Sequence, residues 1–321
     1  MDALVAVIIT CYNEGAYIGA AVRSVLDQTR AELVGEIIIA DDGSDEPTLA
    51  VLRDIATWDP RIRVLYGSGG ARQAAQRNLG VRSTQLPLIA FLDGDDMWQP
   101  QKLEAQLDLL DAGGTAGLVY TGFSTFADGK HQHPLQAPIA DLSAQSNLAL
   151  AYFLNDPPIM PSTVLMKRDI YLDHDGMDPA ILCFEETEFY LRLARTTRFQ
   201  CVPTPLVLKR NRSSSITGGR KDLMAWHAFV AFKAAADNPA LLPHVPRRLA
   251  ERARKLGNQR FLLNDRAQAR ALSSLACRLQ PLSTKNWLGW LLPRLPGTLA
   301  DLLLKTALKS RAEALGGADE R

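Results

Sequence analysis

Along its first hundred residues the chain alternates short, unbroken apolar runs with longer segments of helical period. Leu4–Thr10 (LVAVIIT) and Leu88–Leu92 (LIAFL) lack polar alternation, as strands buried on both faces do. Glu36–Ala40 and Arg61–Tyr66 are two further strands. Between them, Ala16–Gln28 repeats apolar residues at helical spacing, with Ile18, Val22, Val25 and Leu26 on one face. Pro47–Thr57 is a second helix, with Pro47 suited to its first turn, and Ala71–Arg82 is a third. Strands alternating with helices predict a mostly parallel α/β sheet with helices on its faces.

Beyond residue 100 the rhythm loosens. Gly117–Phe126 and Ser162–Met166 read as strands, Ala127–Ser146 as a polar loop and Gly176–Asp178 as a turn. Glu185 opens a helix that continues through Arg195, and Lys209–Thr217 (KRNRSSSIT) reads as a basic loop. After Gly219 the composition shifts. Asp222–Ala236 is a helix with Trp226, Phe229, Val230 and Phe232 along its apolar face, and Pro246–Leu279 holds one or two basic helices. Leu282–Leu308 carries Trp287, Trp290 and repeated leucines, broken by Pro293 and Pro296, before a loose tail at Gly316–Arg321. The expected organisation is an α/β domain over 1–219, with halves 1–100 and 101–219, and a helical C-terminal extension over 220–321.

In parallel sheets of this kind ligands sit at the carboxyl ends of the strands. Four chemically loaded segments fall there: Thr10–Asn13, Asp41–Ser44, Gly67–Arg72 and Asp93–Asp96. Asp93, Asp95 and Asp96 crowd the exit of a buried strand, at a cost in repulsion and desolvation. A hard divalent cation, Mn²⁺ or Mg²⁺, relieves that cost, and Gly94 lets the backbone bend so that the carboxylates converge. The competing reading is a cap, with Asp95 or Asp96 opening a helix near Pro100. A nucleotide suits the neighbouring groups. Asp42 accepts hydrogen bonds from a base or ribose, Tyr12 offers a flat face, and Arg72 and Arg77 supply counter-charge to a diphosphate. For the two arginines an exposed helix face is the alternative.

Composition narrows the class. The 321 residues are 47% apolar and 22% charged, with a formal net charge of +1, so no global field advertises nucleic acid. The four cysteines, Cys11, Cys183, Cys201 and Cys277, form no CxxC pair, which speaks against a zinc site or a disulfide framework. His131 and His133 read as a solvated loop tip rather than metal ligands. No Walker sequence follows Gly67–Gly70, and CYNEG after the first strand is not a dinucleotide fingerprint. With a strand so near the N-terminus and no run long enough to span a bilayer, a cytoplasmic location is expected.

The segments VIITCYNEGAYIGAAVRSVLDQT, IIIADDGSDE, RQAAQRNLGV and LIAFLDGDDMWQPQKL, in this order, resemble the family 2 glycosyltransferases of GT-A fold. The resemblance covers about the first 217 residues. It implies an inverting, metal-dependent transfer of one sugar from a nucleotide diphosphate, UDP being the commonest, to a glycan or lipid-linked acceptor. It further implies a place in bacterial surface polysaccharide synthesis. Thr10, Tyr12, Glu14, Asp42, Arg72, Arg77, Asn78 and Asp93 then belong to the donor site. Asp93 and Asp95 form the DxD motif, with Asp96 beside it at the Mn²⁺ or Mg²⁺ site. Tyr152–Pro161 becomes a lip over the acceptor side. The family's ED segment corresponds to Glu185–Glu186, with Glu188 two residues on. That makes Glu186 the general base, one methylene longer than the usual Asp, and Glu185 and Glu188 acceptor-binding acids. Arg212 joins the donor site where the family often has a His. Absence of QxxRW and of membrane spans favours single transfers. Two rivals stand beside this reading: a silent nucleotide- or glycan-binding module, and a sugar-nucleotide nucleotidyltransferase. For the C-terminal helices, peripheral contact with the inner face of a membrane, packing on the catalytic domain and a homodimer all remain open.

Overall fold

An interior strand of the sheet is β1 (Val5–Cys11), every residue of which is buried in a computed structural model that describes residues 4–113, 116–127, 134–212 and 222–296. It is flanked by β2 (Val34–Asp41) and β4 (Leu88–Asp93), and β3 (Ile62–Tyr66) lies outside β2, all four strands parallel. The order β3-β2-β1-β4 reverses direction at β1. A crevice opens at such a switch point, outside the strands' carboxyl ends. The apolar runs of β1, β2 and β4 are the core because both faces are covered. Val5, Val7 and Ile9 pack with Val22 and Val25 of α1 (Ile18–Leu26) and with Leu52 and Ile55 of α2 (Glu46–Ile55). On the other face α3 (Arg72–Arg82) comes so close to β1 that a Cβ on Gly80 would meet Ile8 at 2.5 Å. Asp45 caps α2 by accepting from Thr48 N, and Pro47 lies in the first turn.

The second half of the sheet follows a different logic. β5 (Met97–Trp98), α4 (Lys102–Gly113), β6 (Ala116–Ala127), β7 (Leu135–Gln136), α5 (Leu148–Asn155) and β8 (Val164–Lys167) come in that order. They are followed by α6 (Arg168–Asp173), α7 (Glu185–Leu193) and β9 (Arg198–Asn211). From β4 the sheet continues β8-β6-β9-β5, with β7 on β6. β8 is antiparallel to β4 and β6, β9 is parallel to β6, and β5 closes antiparallel on β9. β9 is a correction to the expected basic loop, since Lys209, Arg210 and Asn211 are its last residues. The first residues of the expected lip, Tyr152–Asn155, are the end of α5, a helix capped by Asn147.

The described residues fall into two compact units, one running through Trp226 with Ala236–Asn238, the other made of His227–Ala235 and the chain from Pro239. The division passes through α8 (Leu223–Asp237). Phe229 and Phe232, expected on its apolar face, are about half exposed, while His227, Val230, Ala231 and Ala234 are buried. In the second unit α9 (Val245–Leu262) and α10 (Arg266–Leu279) are separated by Asn264 at φ +62° and by the Asp265 cap. Gly257 faces Ala269 and Leu272 across their seam. α11 (Thr284–Leu291) is tied to α10 by Asn286, which donates to Ala276 O at 3.1 Å. Among the described residues no helix is long and apolar enough to cross a membrane. His131, His133, Ser213–Thr217 and the chain beyond Pro296 lie outside the described residues.

Candidate active site

The switch point is where the acids gather. Thr10, one residue before the end of β1, is in register with Asp93 at the end of β4, and Gly94 N donates to Thr10 O at 3.0 Å. Asp95 and Asp96 follow immediately and precede β5, while α4 begins only at Lys102. That spacing removes the helix-cap alternative for both. Gly94 is required for space rather than for a left-handed bend. A Cβ there would meet Glu14 Oε2 at 2.4 Å and Thr10 O at 2.8 Å, so Glu14 is pressed against the acidic turn.

Four carboxylates thus share this corner, and two of them share one partner. Asp93 accepts from Arg77 Nη2 at 2.7 Å. Asp95 pairs with Arg212 Nε at 2.7 Å, and Glu14 accepts from Arg212 Nη2 at 2.8 Å. Asp96, 2% exposed, accepts from Ser162 Oγ at 2.8 Å and from Arg210 N at 3.1 Å. Burial and then the charge of Asp95 push Glu14 up to about 8. Burial, Asp93 and Asp95 push Asp96 up to about 7, and burial and Asp93 raise Asp95. A crowded, under-neutralised set of hard oxygens is what a divalent cation suits, and the Arg212 guanidinium is a stand-in cation at Asp95 and Glu14. Among the described residues no three His, Cys, Asp or Glu side chains already converge as a metal site. A cation would therefore be held by one or two of these carboxylates, its shell completed by phosphate and water.

On the β2 side the turns are latched together. Asp41 accepts from Gly43 N and Ser44 N, Asn13 N donates to Ser44 Oγ, and Asp45 N donates to Asn13 Oδ1. Gly43, at φ +73°, allows contact with the next loop, where a Cβ would meet Gly69 N at 2.6 Å. Tyr12 is left 58% exposed at the rim. Asp42 accepts from Ala71 N, Arg72 N and Gln76 Nε2, so its carboxylate pins the start of α3 and keeps one acceptor position on Oδ2. Arg72, at φ +64°, turns an exposed side chain outward.

Three sequence-predicted groups have other occupations. Arg77 is 1% exposed and bridges Asp93 and Glu185, the latter at 3.0 Å, so its charge points inward rather than to an exposed helix face. Burial opposes that charge, but Asp93 and Glu185 hold it firmly. Asn78 is a latch: it donates to Met177 O and accepts from Tyr171 Oη and Met177 N. Glu188, 1% exposed, is spent in a bidentate pair with Arg192, which also donates to His174 O and Gly176 O.

Glu186 is half-buried on the first turn of α7, entered through Phe184 in the left-handed region at φ +67°. A bulky residue there stores strain, of the kind found where side-chain placement matters. Glu186 lies within electrostatic reach of Arg77 and Asp93, and burial, then Glu185, push it up to about 8. Sequence reasoning missed Ser162, which is fully buried, accepts from Asp93 N and donates to Asp96. It also missed Tyr17, on whose ring Arg210 and Arg212 stack at 4.5 and 5.3 Å. Neither had a signal beyond a common residue type. A cavity of about 380 Å³ between Leu142–Leu148 and Ala194–Phe199 contains none of these acids.

Known proteins share this architecture. Staphylococcus aureus TarS, residues 1–349 in complex with UDP-GlcNAc, superposes with a TM-score of 0.63 at 14% identity over 90% of each chain, a likeness of GT-A fold. The putative teichuronic acid biosynthesis glycosyltransferase TuaG of Bacillus subtilis is 39% identical over 39% of this chain and 48% of its own length. The Escherichia coli UDP-Glc:alpha-D-GlcNAc-diphosphoundecaprenol beta-1,3-glucosyltransferase WfgD is 35% identical over 34% of this chain and 42% of its own. The chain thus spans less than half the length of these curated relatives. Residues 6–174, from β1 through α6, match the family described as glycosyl transferase family 2. With more than half of its residues inside that match, the chain belongs to glycosyl transferase family 2.

Proposed function

We propose that the chain transfers one sugar from a nucleotide-diphosphate donor to a hydroxyl of a glycan or lipid-linked acceptor, with inversion, in bacterial surface polysaccharide synthesis. The observation that carries this is the gathering of Glu14, Asp93, Asp95 and Asp96 at the β1–β4 switch point, with Glu186 across Arg77. Tyr12 presents its exposed ring to the base, and Asp42 keeps the donor-side loops in place. Asp95, with Asp93 and Asp96 near it, would hold Mn²⁺ or Mg²⁺. Such an ion stabilises negative charge on a departing diphosphate. Glu186 takes the proton of the acceptor hydroxyl. The oxygen's lone pair forms the bond to the anomeric carbon, while the bond to the diphosphate oxygen breaks and its electrons leave with the diphosphate. Glu185, held by Arg77, sets the first turn of α7 from which Glu186 acts.

UDP is the nucleotide favoured by the TarS complex with UDP-GlcNAc and by the UDP-Glc of WfgD. The WfgD name also supports a lipid-linked acceptor. Exposed Trp287, Leu288 and Leu291 on α11 support work at a cytoplasmic membrane surface. The test is thermal stabilisation by UDP, dTDP, GDP and CMP, each with and without Mn²⁺, followed by product analysis with the sugar donor that stabilises most. A ligand that binds only the fold raises the melting temperature. A metal-dependent shift for one diphosphate supports the reading, and no shift with any of them refutes it.

A further inference from the structure

Arg212 stands one residue beyond β9, and the end of that strand is fixed against the acids it serves. Arg210 N donates to Asp96 Oδ1, and Leu208 pairs with Met97 of β5. From this anchor one guanidinium reaches two carboxylates on different loops: Asp95 at 2.7 Å through Nε and Glu14 at 2.8 Å through Nη2. Tyr17 backs it at 5.3 Å. The side chain is only 20% exposed, so the pair sits where water screens it poorly. A planar fork suits such a bridge in a way an ammonium does not.

We propose that Arg212 is the resident cation of the Glu14–Asp95 pair, that a divalent ion and the seated guanidinium exclude one another, and that the displaced Arg212 then engages the donor's diphosphate. This rests on the donor-site reading above. Two carboxylates accommodate either one guanidinium or one divalent ion. Both together would bring like charges within a few ångströms in a poorly screened corner, where they repel strongly. Expelled from its seat, the fork remains tethered to the end of β9 and suits two phosphate oxygens. Metal and nucleotide then bind with positive coupling, because the ion releases the group that the nucleotide uses, and the coupling is reciprocal.

The experiment measures Mn²⁺ binding by electron paramagnetic resonance, with and without UDP, on the full chain and on Arg212→Gln, Arg212→Lys and Asp95→Asn. If the seat is filled nine times in ten, removing its occupant tightens Mn²⁺ binding about tenfold. Arg212→Gln is therefore expected to bind Mn²⁺ about tenfold more tightly without nucleotide, and to lose most of the enhancement that UDP gives the parent. Arg212→Lys, able to reach one acid at a time, falls between. Unchanged or weaker Mn²⁺ binding by Arg212→Gln, with its melting curve intact, overturns the proposal. If Asp95→Asn binds Mn²⁺ like the parent, the cation site itself is misassigned and the donor-site reading fails with it. If neither the parent nor Arg212→Gln binds Mn²⁺ while UDP still stabilises both, the nucleotide site stands and the exclusion is refuted.

Discussion

Beneath Asp93 lies Arg77, whose Nη2 donates to the carboxylate at 2.7 Å from a side chain that is almost wholly enclosed. Its other terminal nitrogen holds Glu185 at 3.0 Å, so one buried cation joins the end of β4 to the first turn of α7. These segments are 92 residues apart from Asp93 to Glu185, and the bridge is what sets their spacing. Breaking a buried pair by removing one partner costs about 3–5 kcal/mol, because the other charge is stranded. Arg77→Met is therefore expected to lose that much stability in urea unfolding, with activity falling alongside. Arg77→Lys should recover only part of it, since an ammonium is a point charge where a fork spans two acids.

Glu186 offers a kinetic reading of its own burial. Raised to about 8, it is protonated below that pH, and only its ionised form accepts a proton. The rate of transfer is expected to climb with pH through about 8 and then level. Glu186→Gln should lower kcat by about 10²–10⁴, the usual worth of a positioned base, while leaving UDP affinity near its parent value. A variant that kept both the rate and the rising limb would move the base elsewhere.

The same burial makes stability fall with pH when no cation is present. In an unfolded chain Glu and Asp ionise near 4.3 and 3.9, whereas in the fold Glu14 holds its proton to about 8 and Asp96 to about 7. Between those limits the folded state binds more protons than the unfolded one, so unfolding becomes easier as pH rises. Each such group contributes about 1.4 kcal/mol per pH unit across its window. Urea midpoints at pH 5, 6.5 and 8 should decline in that order. Mn²⁺ should restore most at pH 8, and Glu14→Gln should flatten the slope.

The inner strands of the sheet's first half were legible because they are covered on both faces and therefore appear as apolar runs, as Val5–Ile9 and Ile37–Ile39 do. β9 was not, for a physical reason. Pro203 and Pro205 interrupt it, and proline normally argues against an interior strand. They fall where the β6–β9 register shifts, between Thr121–Val202 and Gly122–Pro205, so their missing N–H groups leave the ladder intact on either side. That strand delivers Arg210 and Arg212, so the basic residues were visible in sequence while their target was not. At the site, the acids of β4 could be named from their crowding alone. What two of them touch could not, because Asp95 with Arg212 and Asp96 with Arg210 are more than a hundred residues apart. Glu188 shows what local spacing can reveal: of the three acids in the first turn of α7 it alone has an arginine four residues on, and it pairs with that Arg192.

Ser162 is the residue whose removal best separates support of the acids from the acids themselves. Its hydroxyl accepts from Asp93 N at 3.1 Å and donates to Asp96 Oδ2 at 2.8 Å, from a fully buried position that also fixes Trp98 through Ser162 O. Ser162→Ala strands one backbone donor and withdraws one hydrogen bond from a carboxylate already raised to about 7. Leaving buried partners unsatisfied costs about 1–3 kcal/mol each. The hydrogen bond from Ser162 lowers the Asp96 value, so its loss should send that carboxyl higher still. Mn²⁺ binding at pH 7 should then weaken and recover at higher pH, as the acid ionises despite its surroundings. Ser162→Thr, which restores the hydroxyl, should return the parent's pH dependence even where crowding by the extra methyl lowers stability. Calorimetric titration of Mn²⁺ at pH 7 and pH 8.5 on all three proteins would read both effects. If alanine weakens binding equally at the two pH values, Ser162 shapes the turn without tuning the charge of Asp96.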